Sequence, residues 1–154
     1  MRAERVRTAA ATVAALAGEL SRDDLAVLAL WSDCRGADQA RRPVKPLTLL
    51  DQLLSLPARG LTNVAFPLQL AAKELARIPA RDARVVFLSD CVHNADPDPR
   101  SDAARLPRLD VMLDVSGSND VELGRQLART GRGRLALIRT YRDVAPALSR
   151  AFAE

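Results

Sequence analysis

The sequence predicts an α/β fold: a doubly wound, mostly parallel sheet with helices on both faces. Three observations carry the prediction. Apolar runs of strand length recur at 25–31, 84–90, 109–115 and 134–139. Segments with helical apolar spacing lie between them. The run 25–31 is apolar almost without interruption, as a strand buried on both faces requires.

Taken in order, the chain opens on a helix over 2–20, where Val6, Ala9, Ala10, Val13, Leu16, Ala17 and Leu20 share one face. Ser21-Arg22-Asp23-Asp24 breaks it, and the strand 25–31 follows. Gly36, Pro43 and Pro46 mark 35–46 as a loop, and a short helix over 47–56 is closed by Pro57 and Gly60. A second long helix runs from Asn63 to about Arg77 and buries Ala65, Leu68, Ala72 and Leu75. Asn63 or Thr62 can cap it, Pro67 falls near the first turn, where proline does least harm, and Pro79 ends it. The strand 84–90 leads into an acidic, proline-rich loop, Asp96-Pro97-Asp98-Pro99. After the strand 109–115 comes a helix over 120–130, with Asn119 as its cap and Glu122 three residues on. The strand 134–139 and a helix over 144–152 complete the reading.

Composition narrows the function. The 154 residues suit one domain with a proper core, and 48% apolar with 27% charged residues reads as globular. No apolar run approaches the roughly 20 residues that span a bilayer. No apolar signal core follows Arg2, Glu4, Arg5 and Arg7, and two cysteines are too few for a disulfide framework, so the expected compartment is the cytoplasm. The net charge is +4, yet the arginines are scattered, as at Arg41, Arg42, Arg77, Arg81, Arg84, Arg129, Arg132 and Arg134. With 3% aromatic residues there is almost no stacking platform, so the charge reads as a solvated surface and neither nucleic acid nor membrane is an expected partner.

In doubly wound sheets, ligands sit beyond the C-terminal ends of the strands. Thr62, in Gly60-Leu61-Thr62-Asn63, and Asp90, ending the strand 84–90, both belong at that edge. A hydroxyl and a carboxylate are hard oxygen donors of the kind Mg²⁺ prefers. Alone, Thr62 reads as a helix cap and Asp90 as a turn residue; together they read as part of a metal site. His93, the lone histidine, reads as a solvent-facing loop residue, although it is near enough to Asp90, Asp96 and Asp98 to touch a cation or a partner. Cys34 and Cys91 each follow Ser-Asp at a strand end, but no second histidine or cysteine pair supports zinc. There is no Gly-x-Ser-x-Gly elbow, no glycine-rich phosphate loop and no base beside Ser89, so an enzyme is not expected.

Four stretches resemble a bacterial von Willebrand factor type A (VWA) domain, which has a Rossmann-like sheet. The segment 24–32 is similar to that family's second strand, Gly60-Leu61-Thr62-Asn63 to its threonine loop, and 84–90 to its fourth strand, which ends in Ser-Asp. Leu127-Ala128-Arg129-Thr130-Gly131-Arg132-Gly133 resembles its Leu-Ala-x-x-Thr-Gly-Gly stretch, with an arginine between the glycines. The resemblance implies a metal-ion-dependent adhesion site in which Thr62 and Asp90 are two parts of three. The third, an Asp-x-Ser-x-Ser loop after a first central strand, should precede the helix 2–20. The expectation is that it lies upstream of Met1, with Met1 itself the methionine that often follows that loop, so that the domain is incomplete at its N-terminus. Asp114-Val115-Ser116-Gly117-Ser118 spells the same motif, and two readings stay open there: ordinary turn and cap residues, or a substitute metal loop.

The implied function is a protein–protein interaction module. A Mg²⁺ or other divalent cation would bridge protein oxygens to a partner's acidic side chain. Bacterial relatives often work beside AAA+ ATPases of the MoxR type, so the resemblance permits an adaptor role. Two protein oxygens are a weak site for an ion that takes six ligands, so this chain is expected to bind metal weakly or not at all. Without the first strand, 25–31 and 84–90 would each lose a neighbour and leave a gap. That strand order would also put Cys34 and Cys91 about 9–10 Å apart, beyond disulfide reach unless the gap closes; both are read as buried structural cysteines. The alternatives are a nucleotide- or phosphate-binding enzyme on a flavodoxin-like sheet, with Ser116-Gly117-Ser118 the nearest fragment to a phosphate loop, and a truncated domain without activity.

Overall fold

The computed structural model describes residues 63–95 and 97–153, together with Thr8, Ala11, Thr12 and Ala15. The strand predicted at 25–31, the loop 35–46, the helix 47–56, Thr62 and Cys34 lie outside the described residues. The chain divides into two compact units, Leu61–Ile138 and, separately, Met1–Gly60 with Arg139–Glu154.

The unit Leu61–Ile138 is α/β with a three-stranded, all-parallel sheet. Helix α1 spans Ala65–Leu75, strand β1 Val85–Ser89, helix α2 Pro99–Arg105, strand β2 Leu109–Asp114, helix α3 Val121–Thr130 and strand β3 Arg132–Ile138. The sheet order is β1-β2-β3. All six residues of β2 are buried, which is why that segment reads as a near-continuous apolar run. Helix α3 sits on β2 and β3; α2 packs beside α3, and α1 beside α2. The core gathers Val64, Leu68, Leu106, Leu109, Val111, Met112, Leu113 and Leu127, each at most 2% exposed.

Local chemistry explains the boundaries. Asn63 Oδ1 accepts the Ala65 and Phe66 N–H groups at 3.0 and 3.1 Å, so the capping residue of α1 is Asn63. The buried face of α1 carries Ala71 where Ala72 is predicted. Helix α2 is a structure the sequence reading leaves as loop. Asp98 caps it by accepting the Arg100 N–H at 2.9 Å, and Pro99 occupies the first helical position, where its fixed φ suits a helix. In the second capping site the prediction shifts by one residue. Asp120, not Asn119, accepts the Leu123 N–H (2.8 Å), while Asn119 Nδ2 donates to the Gly117 carbonyl.

Between β2 and β3 the register slips, from Leu109↔Arg132 to Val111↔Leu135, so β3 carries one extra residue opposite Asp110. Two glycines make the join possible. A Cβ on Gly131 would lie 2.4 Å from Leu109 Cβ, and one on Gly133 would lie 2.0 Å from the Leu109 carbonyl oxygen. The intervening arginine of the Gly-Arg-Gly stretch takes the left-handed conformation (φ 59°). Its guanidinium donates to the Leu106 and Pro107 carbonyls, fixing the turn ahead of β2.

In the other unit, Thr8, Ala11, Thr12 and Ala15 are helical, as predicted for 2–20. The buried Thr12 hydroxyl donates to the Thr8 carbonyl at 2.8 Å, one turn back. Helix α4 spans Val144–Phe152 and buries Val144, Ala147, Leu148 and Ala151 at helical spacing. Ahead of it, the Asp143 carboxylate accepts the Arg139 and Thr140 N–H groups, both at 2.9 Å. The Thr140 bond, then the Arg139 bond, hold that carboxyl below its usual range. Among the described residues no helix is long and apolar enough to cross a membrane.

Candidate functional site

At the C-terminal edge of the sheet, three loops converge. Strand β1 ends at Ser89, whose Oγ accepts the Cys91 N–H at 2.9 Å, and Asp90 Oδ1 accepts the Val92 N–H at 3.2 Å. These bonds hold a turn in which Cys91 takes φ 55°, a region that non-glycine residues seldom occupy. The Asp90 carbonyl accepts the Asp120 N–H at 2.9 Å, joining the loop after β1 to the loop before α3. At the end of β2, Asp114 Oδ1 accepts the Ser116 N–H at 2.9 Å, an Asx turn that starts the Asp114–Ser118 segment.

The third loop arrives through His93. The Val64 N–H donates to His93 Nδ1 at 3.1 Å, and His93 Nε2 lies 3.1 Å from the Pro97 carbonyl. His93 is therefore not a solvent-facing loop residue as predicted. It is partly buried and engaged at both ring nitrogens. The helix start after the threonine loop is thereby tied to the loop that carries Asp90. Thr62 itself, the other predicted metal residue, lies outside the described residues.

Beneath the edge, Cys91 is fully buried and free, its Sγ beside the face of α3 at Gly124. Burial pushes its thiol up to about 12, with smaller upward contributions from the neighbouring Asp90 and Asp120 charges opposed by the Ser89 bond. A buried thiol held protonated in this way is a poor nucleophile. Cys34 lies outside the described residues.

Asp90 and Asp114 supply carboxylate oxygens at one edge, the hard-donor chemistry that suits Mg²⁺. Among the described residues no three His, Cys, Asp or Glu side chains form a group able to hold a metal ion.

The sequence reading passes over one charged group, Asp110. It is 2% exposed within β2, and its carboxylate lies 3.4 Å from Arg84 Nε and 3.2 Å from Arg108 Nε. Its Oδ1 also accepts the Arg134 N–H at 2.9 Å, supplying the partner that the slipped register takes from the ladder. The available signal was an acidic residue inside an apolar strand, with an arginine immediately ahead of each of β1 and β2. This cluster lies at the N-terminal edge, away from the loops. Comparison of the chain with protein-family models, curated proteins and solved structures gives no match.

Proposed function

We propose that the chain is a VWA-like protein–protein interaction module whose binding surface is the C-terminal edge of the sheet. The observation that supports this most is the His93 connection: it brings the helix start two residues after Thr62 against the loop that begins at Asp90. A parallel α/β sheet with loops gathered at that edge is where such a module would bind. In this reading Asp90 and Thr62 hold a Mg²⁺ or similar divalent cation, weakly at best, since they supply only two of its six ligands. The ion accepts an acidic side chain from the partner, and an AAA+ ATPase of the MoxR type is the partner class the resemblance implies. Asp114 Oδ1 engages the Ser116 N–H in the same kind of Asx turn that Asp90 Oδ1 makes with the Val92 N–H, so the turn alone does not separate the two carboxylates, and the turn reading of Asp114 is put to the test below.

Titration calorimetry of the full chain with Mg²⁺ tests the reading. Thr62→Ala and Asp90→Ala should each weaken binding by about tenfold or more, since a direct ligand matters at least as much as an outer-sphere group. Asp114→Ala should leave it unchanged. Binding that ignores Thr62 and Asp90 would overturn this metal site, and nucleotide affinity with no metal dependence would replace the reading with the phosphate-binding enzyme.

A further inference from the structure

The His93 bridge has a proton requirement written into its geometry. A backbone N–H only donates, so His93 Nδ1, 3.1 Å from the Val64 nitrogen, must be the bare, accepting nitrogen. A carbonyl only accepts, so Nε2, 3.1 Å from the Pro97 oxygen, must carry the hydrogen. The bridge thus exists only for one tautomer of the neutral imidazole. We infer that His93 is a proton-operated latch, closing the start of α1 onto the post-β1 loop when neutral and releasing α1 when protonated.

Protonation acts on one arm only. The added proton goes to Nδ1 and faces the Val64 N–H, donor against donor, so that bond is lost. The Nε2–H bond to Pro97 persists and becomes charge-assisted. The ring accordingly stays with the 93–98 loop and lets go of the helix. The charged groups placed around it reinforce this direction. Asp98, which closes that loop, is electrostatically coupled to His93. Arg100 pairs with Asp98 at 3.0 Å, and Asp90 lies three residues earlier. The first turn of α1 carries no acidic residue to retain the cation. Val64 is 1% exposed, so its released N–H is left without the partner that its burial requires.

The latch is closed while the ring is neutral and opens as the ring takes up its second proton. The inference rests on hydrogen-bond geometry and holds whether or not a cation binds at the same edge. If the edge is the binding surface, mild acidification would loosen the threonine loop from the Asp90 loop.

The chain has one histidine, so nuclear magnetic resonance of the full-length protein reads the latch directly. At pH 8 the imidazole ¹⁵N shifts should report the Nε2–H tautomer. As the ring protonates, protection of the Val64 amide against hydrogen exchange, corrected for intrinsic rates, should fall about fivefold or more. In His93→Ala the Val64 protection should be low at pH 8 and show no further step. An Nδ1–H tautomer at pH 8, or Val64 protection that does not follow the ring titration, overturns the latch. Should His93→Ala fail to fold, the tautomer and the Val64 titration of the unaltered chain still decide. None of these readouts involves metal, so a failed latch and a failed metal site are told apart.

Discussion

The two edges of the sheet handle carboxylates in opposite ways. At the N-terminal edge, Asp110 is buried against the guanidinium groups of Arg84 and Arg108 and accepts a backbone N–H from β3. One buried carboxylate ties the starts of β1 and β2 to β3, so that cluster serves the fold. At the C-terminal edge, Asp90 and Asp114 each accept an N–H two residues on and sit in turns that shape loops. The first edge locks strands together; the second arranges groups in space. The difference teaches that one kind of side chain can fix strand register at one edge of a sheet and loop shape at the other.

The strongest way to break this comparison is at Gly133. A Cβ there falls 2.0 Å from the Leu109 carbonyl oxygen and 2.8 Å from the Asp110 nitrogen, so the backbone must separate. Gly133→Ala should cost ~4 kcal/mol, seen as a lower urea midpoint. A near-neutral result would mean that the β2–β3 join is not the rigid part. Next in size is the contrast between the carboxylates. Asp110→Ala should cost ~3 kcal/mol, because it removes the buried carboxylate that both guanidinium groups and the Arg134 N–H engage. Asp90→Ala should cost ~1 kcal/mol, the scale of one net hydrogen bond. Equal costs in chemical denaturation would erase the distinction between a structural and an adaptable edge.

The smallest effect at neutral pH concerns Cys91. Its folded thiol is raised from 9.0 to about 12, so the fold favours the protonated form. That contribution to stability is fully present below pH 9 and is lost as pH rises towards 12. Peptide mapping after alkylation should therefore find Cys91 unmodified in the folded chain up to about pH 10 and modified once it is unfolded. Rapid alkylation of the folded chain at pH 8 would show that the loop above it opens.

Much of the architecture in 63–153 was legible from local patterns. Helix α4 falls on its predicted span 144–152, and β1, β2 and β3 lie within about two residues of theirs, because apolar period and proline placement are local signals. Helix α2 was not legible. Its residues Pro99, Asp102 and Ala103 are buried, but Asp98 and Pro99 also spell a turn, and only packing against α1 and α3 selects the helix. Asp90 falls at the C-terminal end of β1, where its position after an apolar run placed it. The role of His93 was missed because its partners, Val64 and Pro97, are set by tertiary contact; Val64 lies 29 residues away in sequence.

The sequence by itself determined the alternation of strands and helices, the edge to which Asp90 belongs, and the glycines that flank Arg132. These follow from side-chain period and backbone permissiveness, properties each residue carries alone. Only the tertiary structure decided that Gly133 faces a carbonyl, that Asp110 sits between two arginines, and that His93 reaches the start of α1. Each of those depends on a partner brought close by the fold, and a hydrogen bond or ion pair has no meaning until both of its ends are in place.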